Sequence, residues 1–213
     1  MSFDNYVNLQ AEIIDYLARD DLNAKIPSFI TLTEAKLNRE LFVRQMELRE
    51  TSAVDLTSAE PEFVSLPSDF QSMRRVRLTT VDGEPRLRYL SSASLDEFRY
   101  NSGNASGRPL YFTIHNDEME FAPTPDQNYG LEMVYRGLIP PLATNSTNWL
   151  LTLAPDIYLY GALLEAAPYT KDDDRIQTWG TGFVTAIAGL NNLGLTSTFN
   201  AGPLAIQTSG ITP

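Results

Sequence analysis

The hydrophobic period of this chain changes twice, and that change limits what the chain can become. Toward both ends apolar residues recur every three or four positions. Between Met46 and Tyr135 they alternate with polar residues in short runs separated by turn residues. A period near 3.6 buries one stripe of a helix, and a period of two buries one face of a strand. The expected class is therefore α+β: N- and C-terminal helices forming one helical bundle, attached to an antiparallel β-sandwich or barrel-like platform. The expected bounds are residues 1–45 and 149–194 for the helical domain and 46–148 for the platform, with an extended arm over 195–213.

Phe3, Tyr6, Val7, Ile13, Ile14 and Leu17 recur near helical spacing, with Leu9 and Tyr16 at the flank of a wide apolar face. A face that wide calls for partners on more than one side. Pro27, well placed for a first helical turn, precedes Ile30, Thr33, Leu37 and Leu41, and Ile26 extends the stripe. After Trp149, Pro155 opens a helix with Leu153, Ile157, Tyr160, Gly161 and Leu164 on one face and Tyr158, Ala162 and Glu165 on another. Pro168 is expected to end or kink it. Asp172, Asp173 and Asp174 read as the cap of a last helix through Ile176, Trp179, Phe183, Ile187 and Leu190, so those acids need no metal. Gly180, Gly182 and Gly189 suit close helix approach within an assembly.

In the middle, Asp82-Gly83 and Asn116-Asp117 are hairpin signals. A two-residue loop at the first sets Leu78 against Leu87 and Val76 against Tyr89. It also sets Arg77 against Arg88, with Arg75 and Arg86 nearby. Like charges opposed across strands destabilise the pair, so something acidic should cover that face. A loop of the same chain or a neighbouring copy would serve. A docking patch for an acidic partner or a phosphate backbone is the functional reading. The second hairpin sets Ile114 against Met119 and Phe112 against Phe121, and His115 against Glu118 and Thr113 against Glu120. His115 then reads as an exposed, carboxylate-paired histidine. Leu131, Met133 and Tyr135 share one face of a further strand, and Ser94 to Arg99 reads as a short helix capped by Ser94.

Composition removes whole classes of chemistry. The chain has 213 residues, enough for one large domain or two small ones. It carries 27 acids against 16 bases, a net charge of −11, which opposes broad adhesion to nucleic acid or anionic membranes. It has no cysteine and a single histidine, which removes disulfides, thiolate metal sites and paired-imidazole motifs. No nucleophile elbow, phosphate-binding loop or dinucleotide fingerprint is present. A signal peptide is not expected, since residues 1–20 carry several acids and no uninterrupted apolar core. No run of about 18 apolar residues occurs. From residue 195 onward there is no charged side chain at all. Such a segment reads either as a frayed terminus or as an arm that adds to a partner's sheet edge or groove.

Several stretches resemble one family. "IPSFITLTEAKLNREL" (26–41) resembles the N-terminal helix of bacteriophage head-to-tail adaptor proteins, also called tail tubular protein A. "LPSDF" followed by "RRVRL" (66–78) resembles their first platform strands, and "GRPLYFTIHNDEMEFAPTPD" (107–126) their central hairpin and proline turn. "NWLLTLAPDIYLYGALLEAAPYTKDDDRIQTW" (148–179) is the most specific stretch, and all four occur in the family's order. The tail after Leu195 matches no motif of the family.

The resemblance implies a non-enzymatic virion structural protein without cofactor or metal. It implies a ring, usually dodecameric, joining the portal to the tail nozzle or tube, with double-stranded DNA passing as transient lumen cargo. Its place would be the virion neck, after assembly in the host cytoplasm, with no membrane association. By analogy with adaptors that grip the portal through terminal arms, Leu195, Phe199, Leu204, Ile206 and Ile211 are candidate portal contacts. Ile30, Leu37, Leu41, Tyr158, Tyr160, Leu164, Trp179 and Phe183 are candidates for helical packing or the subunit interface. Arg75, Arg77, Arg86 and Arg88 form the candidate charged patch, and with Arg74 they would make a DNA clamp on a weaker reading. The alternative from another class is a carboxylate-based glycan hydrolase or glycan-binding tail module, resting on the β platform and the abundant acids and aromatics.

Overall fold

The computed structural model describes residues 3–81, 83, 86–170 and 174–198. In chain order these form α1 (Tyr6–Leu17), α2 (Ile26–Glu40), β1 (Glu47–Ala53), β2 (Phe63–Ser65), β3 (Phe70–Leu78) and β4 (Arg88–Tyr89). There follow α3 (Ser92–Asn101), β5 (Tyr111–His115), β6 (Glu118–Ala122), β7 (Gly130–Gly137), α4 (Trp149–Leu153), α5 (Pro155–Thr170) and α6 (Arg175–Thr198). The class is α+β. Two compact units result, one over Gln45–Pro140 and one from the chain ends on either side of it. Residues 141–148, expected in the platform, fall in the helical unit. Two bonds tie them there: Leu142 N–H donates to Glu34 Oε1 at 2.8 Å, and Tyr6 N–H donates to the Ser146 carbonyl at 2.7 Å.

The helical unit is organised around α5. Ile157, Tyr158, Leu159, Ala162, Leu163 and Ala166 are all buried, so α5 is apolar on nearly every side. A helix of that kind has to lie inside, and α1, α2, α4 and α6 surround it. On α2 the expected stripe Ile26, Ile30, Thr33 and Leu37 is buried, with Leu41 at its C-cap. On α1 the buried line is Leu9, Ile13 and Leu17, and Val7 is 70% exposed. The stripe therefore lies one residue-width away from where hydrophobicity alone puts it, centred on Leu9. Asn5 fixes the start of α1 by accepting the Asn8 N–H at 2.9 Å. Pro168 neither ends nor breaks α5 at once; the helix runs on to Thr170. Asp172 and Asp173 of the expected cap lie outside the described residues.

Two details hold α2 to its neighbours. A Cβ built on Gly161 would lie 2.3 Å from Thr33 Cγ2 and 3.0 Å from Phe183 Cε2, so only glycine allows α5 to approach α2 and α6 this closely. Asn191 on α6 then closes the end of α2. Its Oδ1 accepts the Phe42 N–H at 2.8 Å, and its Nδ2 donates to the Glu40 carbonyl at 3.1 Å.

The other unit is a two-sheet sandwich. One sheet has the order β1-β7-β3, the other β2-β6-β5-β4, antiparallel except for the two-residue β4–β5 pair. Val76, Leu78, Leu131, Met133 and Tyr135 of the first sheet share a core with Val64, Phe112, Met119 and Phe121 of the second. The β5–β6 hairpin has the expected register throughout, with Asn116 in the left-handed region at its turn. The expected β3–β4 hairpin does not form a ladder. A single bridge sets Arg77 against Arg86 rather than Arg88, and β4 joins the other sheet. On its other edge β3 pairs with β7 from Phe70 to Leu78, and β7 supplies the acid those arginines need. Helix α3 covers the outer face of the second sheet, and its cap is Ser91, not Ser94: Ser91 Oγ accepts the Ser94 N–H.

Candidate interaction surfaces

Outward from α6 runs a face with unusual chemistry. Trp179, Phe183, Ile187 and Leu190 are turned inward and buried. Gln177, Thr181, Val184, Thr185, Ala188 and Asn192 recur at helical spacing on the opposite side and are almost all exposed. After Arg175 the helix has no charged residue, and Val184 is 66% exposed. A solvated helix face normally carries lysine and glutamate; one without them is suited to contact with another protein. Beside it lies an open groove of about 650 Å³, lined by Asp156, Tyr160, Asp174, Thr178, Thr181 and Thr185 among others.

The outer face of the first sheet has the opposite character. Period-two alternation turns Arg49 of β1, Glu132, Val134 and Arg136 of β7, and Arg75 and Arg77 of β3 to one side. Glu132 is fully buried beneath guanidiniums. Its Oε1 accepts from Arg77 Nε at 2.7 Å and Arg75 at 3.0 Å, and its Oε2 accepts from Arg77 at 2.8 Å and from Arg49. Hydrogen bonds from Arg77 and Arg49 hold its carboxyl down at about 2, against the opposing effect of desolvation. Nearby, Glu47 pairs with Arg74 at 3.5 Å on the exposed rim.

A depressed carboxyl pKa contributes stability above the unfolded value, and that contribution is lost as pH falls through the folded value. Glu132 should therefore cost the fold stability between about pH 4.5 and 2. A Glu132→Gln variant should melt lower at pH 7 and lose that acid-limb slope. Thermal unfolding followed from pH 7 to pH 2 checks both.

The second sheet carries a smaller cluster on its outer face. Glu120 accepts from Arg99 of α3 and lies 2.8 Å from His115 Nε2. Register sets His115 against Glu118, as expected, but its side chain reaches diagonally to Glu120. Among the described residues, no three His, Asp or Glu side chains group as a metal site, and no helix is long and apolar enough to cross a membrane.

A family model described as SU10 adaptor protein matches residues 4–206, spanning both units. The chain belongs to the SU10 adaptor protein family. No curated protein matches it. Membership suggests a viral structural adaptor rather than an enzyme, a virion component that associates with other virion components.

In this SU10 adaptor the sequence candidates separate by burial. Ile30, Leu37, Leu41, Tyr158, Trp179 and Phe183 are buried in the helical unit's own core, and Tyr160 and Leu164 are half-buried. The wide apolar faces are satisfied by the chain's own helices. A Cβ on Gly182 would lie 3.0 Å from the adaptor's own Tyr160 ring, while one on Gly189 would meet nothing within 4 Å. Arg75 and Arg77 are bound to Glu132, and Arg86 and Arg88 are exposed. Leu195 lies on helix α6 rather than on an extended arm, because α6 continues through Thr198. Phe199, Leu204, Ile206 and Ile211 lie outside the described residues. Arg49 and Glu132 were legible only as alternating strand positions. The signal for Glu132 is a lone acid at an outward-facing position of a mainly apolar strand, "GLEMVYRG", whose one other charged residue is Arg136.

Proposed function

We propose that this adaptor is a tail tubular protein A-like component of the virion neck. In this reading it forms a ring, dodecameric as its relatives' resemblance implies, between the portal and the tail nozzle or tube. The ring forms part of the channel through which double-stranded DNA leaves. The family match across residues 4–206 carries this reading. The uncharged outward face of α6 supports it, being suited to contact with another protein. The surplus of acid over base, −11 overall, suits a conduit wall past which phosphate slides without adhering.

Mass measurement of the purified chain, alone and mixed with its portal, tests the reading. A stoichiometric, multi-copy complex with portal is expected. A chain that stays monomeric and never joins the portal contradicts it. Portal docking by the charge-free tail gives a second expectation. Truncation must fall after Thr198, since Gly194 is buried in the helical unit and lies close to Val43. The truncated adaptor should melt as the full chain does and bind portal more weakly. Unchanged tail assembly would remove the tail from the account.

A further inference from the structure

The longest uncharged run of the chain, from Ile176 to Pro213, joins helix α6 to the tail that follows it. Thr181, Val184, Thr185 and Ala188 are exposed along the outward side of that helix. The groove of about 650 Å³ beside them is uncharged in its lining except for Asp156 and Asp174. Gly182 keeps its floor open, because a side chain there would crowd the Tyr160 ring. The tail fits this groove in chemistry, direction and reach. It begins where α6 ends, at Thr198. Asn200, Gly202 and Pro203 follow at once, residue types that stop a helix and reverse a chain. Beyond them Leu204, Ile206 and Ile211 are apolar, set among small and uncharged polar residues. Going back along the helix from Thr198 to Thr185 covers about 20 Å. Residues 199 to 208 span about 33 Å when extended, enough to turn and come back.

We infer that residues 204–211 of the chain's own tail dock along the outward side of α6 in the unassembled adaptor. Tethering decides the occupant. A segment joined to its site by a short linker faces it at an effective concentration on the order of millimolar, which a second copy or another protein has to exceed to take the groove. The contact covers the outside of α6, while Trp179, Phe183, Ile187 and Leu190 hold its other side in the core. The tail can therefore leave without unfolding the chain. Withdrawal of the tail to the portal, a step that rests on the reading proposed above, then bares α6 for a neighbouring subunit.

The chain has no cysteine, so two introduced ones report the contact. Thr185→Cys combined with Thr208→Cys, in dilute full-length adaptor without portal, should close an intramolecular disulfide in a glutathione redox buffer, read by mass spectrometry of the unreduced chain. Two further substitutions in that background separate docking from chance collision. Val184→Lys sets a charge on the helix face, and Ile206→Ser removes an apolar side chain from the tail. Each should slow closure on the order of tenfold. Val184 is 66% exposed, so its variant should melt near the wild-type temperature. Closure at one rate in all three chains overturns the inference. So does a disulfide that forms only between chains, which gives the groove to a second copy, and so does no disulfide at all. With portal absent from the assay, each of these contrary results leaves the proposed ring standing.

Discussion

A Gly161→Leu adaptor should fail to fold its helical unit, and Gly161→Ala should fold with a marked loss of stability. The first added carbon would lie 2.3 Å from Thr33 Cγ2 and 3.0 Å from the Phe183 ring, on two different helices. Neither neighbour can turn away easily. Thr33 is fully buried and its hydroxyl is bound to the Phe29 carbonyl at 2.9 Å, and Phe183 is 5% exposed. Alanine in mid-helix would ordinarily gain about 1 kcal/mol over glycine. Overpacking a close-packed core costs about 1–3 kcal/mol per insertion, so the net change for alanine should be a loss of up to about 2 kcal/mol. Leucine adds three further carbons where one does not fit. Gly189 is the control: a Cβ there meets nothing within 4 Å, and Gly189→Ala should stabilise the chain by about 0.5–1 kcal/mol. Denaturant unfolding of the three variants separates the packing effect from the propensity effect. A Gly161→Ala chain as stable as Gly189→Ala would remove the close-approach argument.

The second large effect is at Glu34. This carboxylate is 5% exposed, on α2, and it organises the residues leading into α4 and α5. Its Oε1 accepts the Leu142 N–H at 2.8 Å and the Tyr158 hydroxyl at 3.3 Å. The Asn148 amide in turn donates to the Tyr158 oxygen at 2.7 Å, while Asn148 Oδ1 caps α4 through the Leu151 N–H. Glu34→Leu leaves a buried N–H and a buried hydroxyl without their acceptor, at a cost of about 1–3 kcal/mol for each such group. Glu34→Gln keeps an oxygen in place and should cost little, or stabilise at pH 7 by removing a buried charge.

The pH dependence distinguishes the two variants. Burial pushes the Glu34 carboxyl above its ordinary value of 4.5, although the Leu142 and Tyr158 hydrogen bonds oppose the shift. A raised folded value means that the folded chain takes up the proton first. The wild type should therefore gain stability as pH falls from the raised value toward 4.5, and Glu34→Gln should lose that gain. Glu132 works in the other direction below 4.5, so the two carboxylates act in adjoining windows with opposite signs. Melting curves across both windows would show a rise and then a fall in the wild type. Flat behaviour above 4.5 would remove the buried-charge account of Glu34.

Much of this architecture can be read from local pattern. The α2 stripe, the β5–β6 register and the inward face of β7 follow from spacing alone, because each is set by one element and one burial direction. What escaped the sequence depended on a distant neighbour. Asp82-Gly83 is a strong turn signal, yet beyond one Arg77–Arg86 bridge β4 pairs with β5 in the other sheet, and the acid beneath Arg75 and Arg77 is Glu132 of β7. Val7 looked like core and is exposed, because the neighbouring helices meet α1 along Leu9, Ile13 and Leu17. Of the candidate packing residues on α2 and α5, Ile30, Leu37 and Tyr158 are buried in the chain's own core, and Tyr160 and Leu164 are half-buried. The outward faces were harder to see: threonines, alanine and glycine on α6 have no pattern by themselves, and they stand out only when the buried stripe is known.

On the proposed function, this SU10 adaptor works by contact, copies of the chain meeting one another around a pore. An image of the assembled neck at side-chain resolution bears on that most directly. It should show copies of this chain closed into a ring between portal and tail, with the outward stripe of α6 covered by protein. A neck lacking the chain, or isolated copies whose outward α6 stripe remains in solvent, would contradict it.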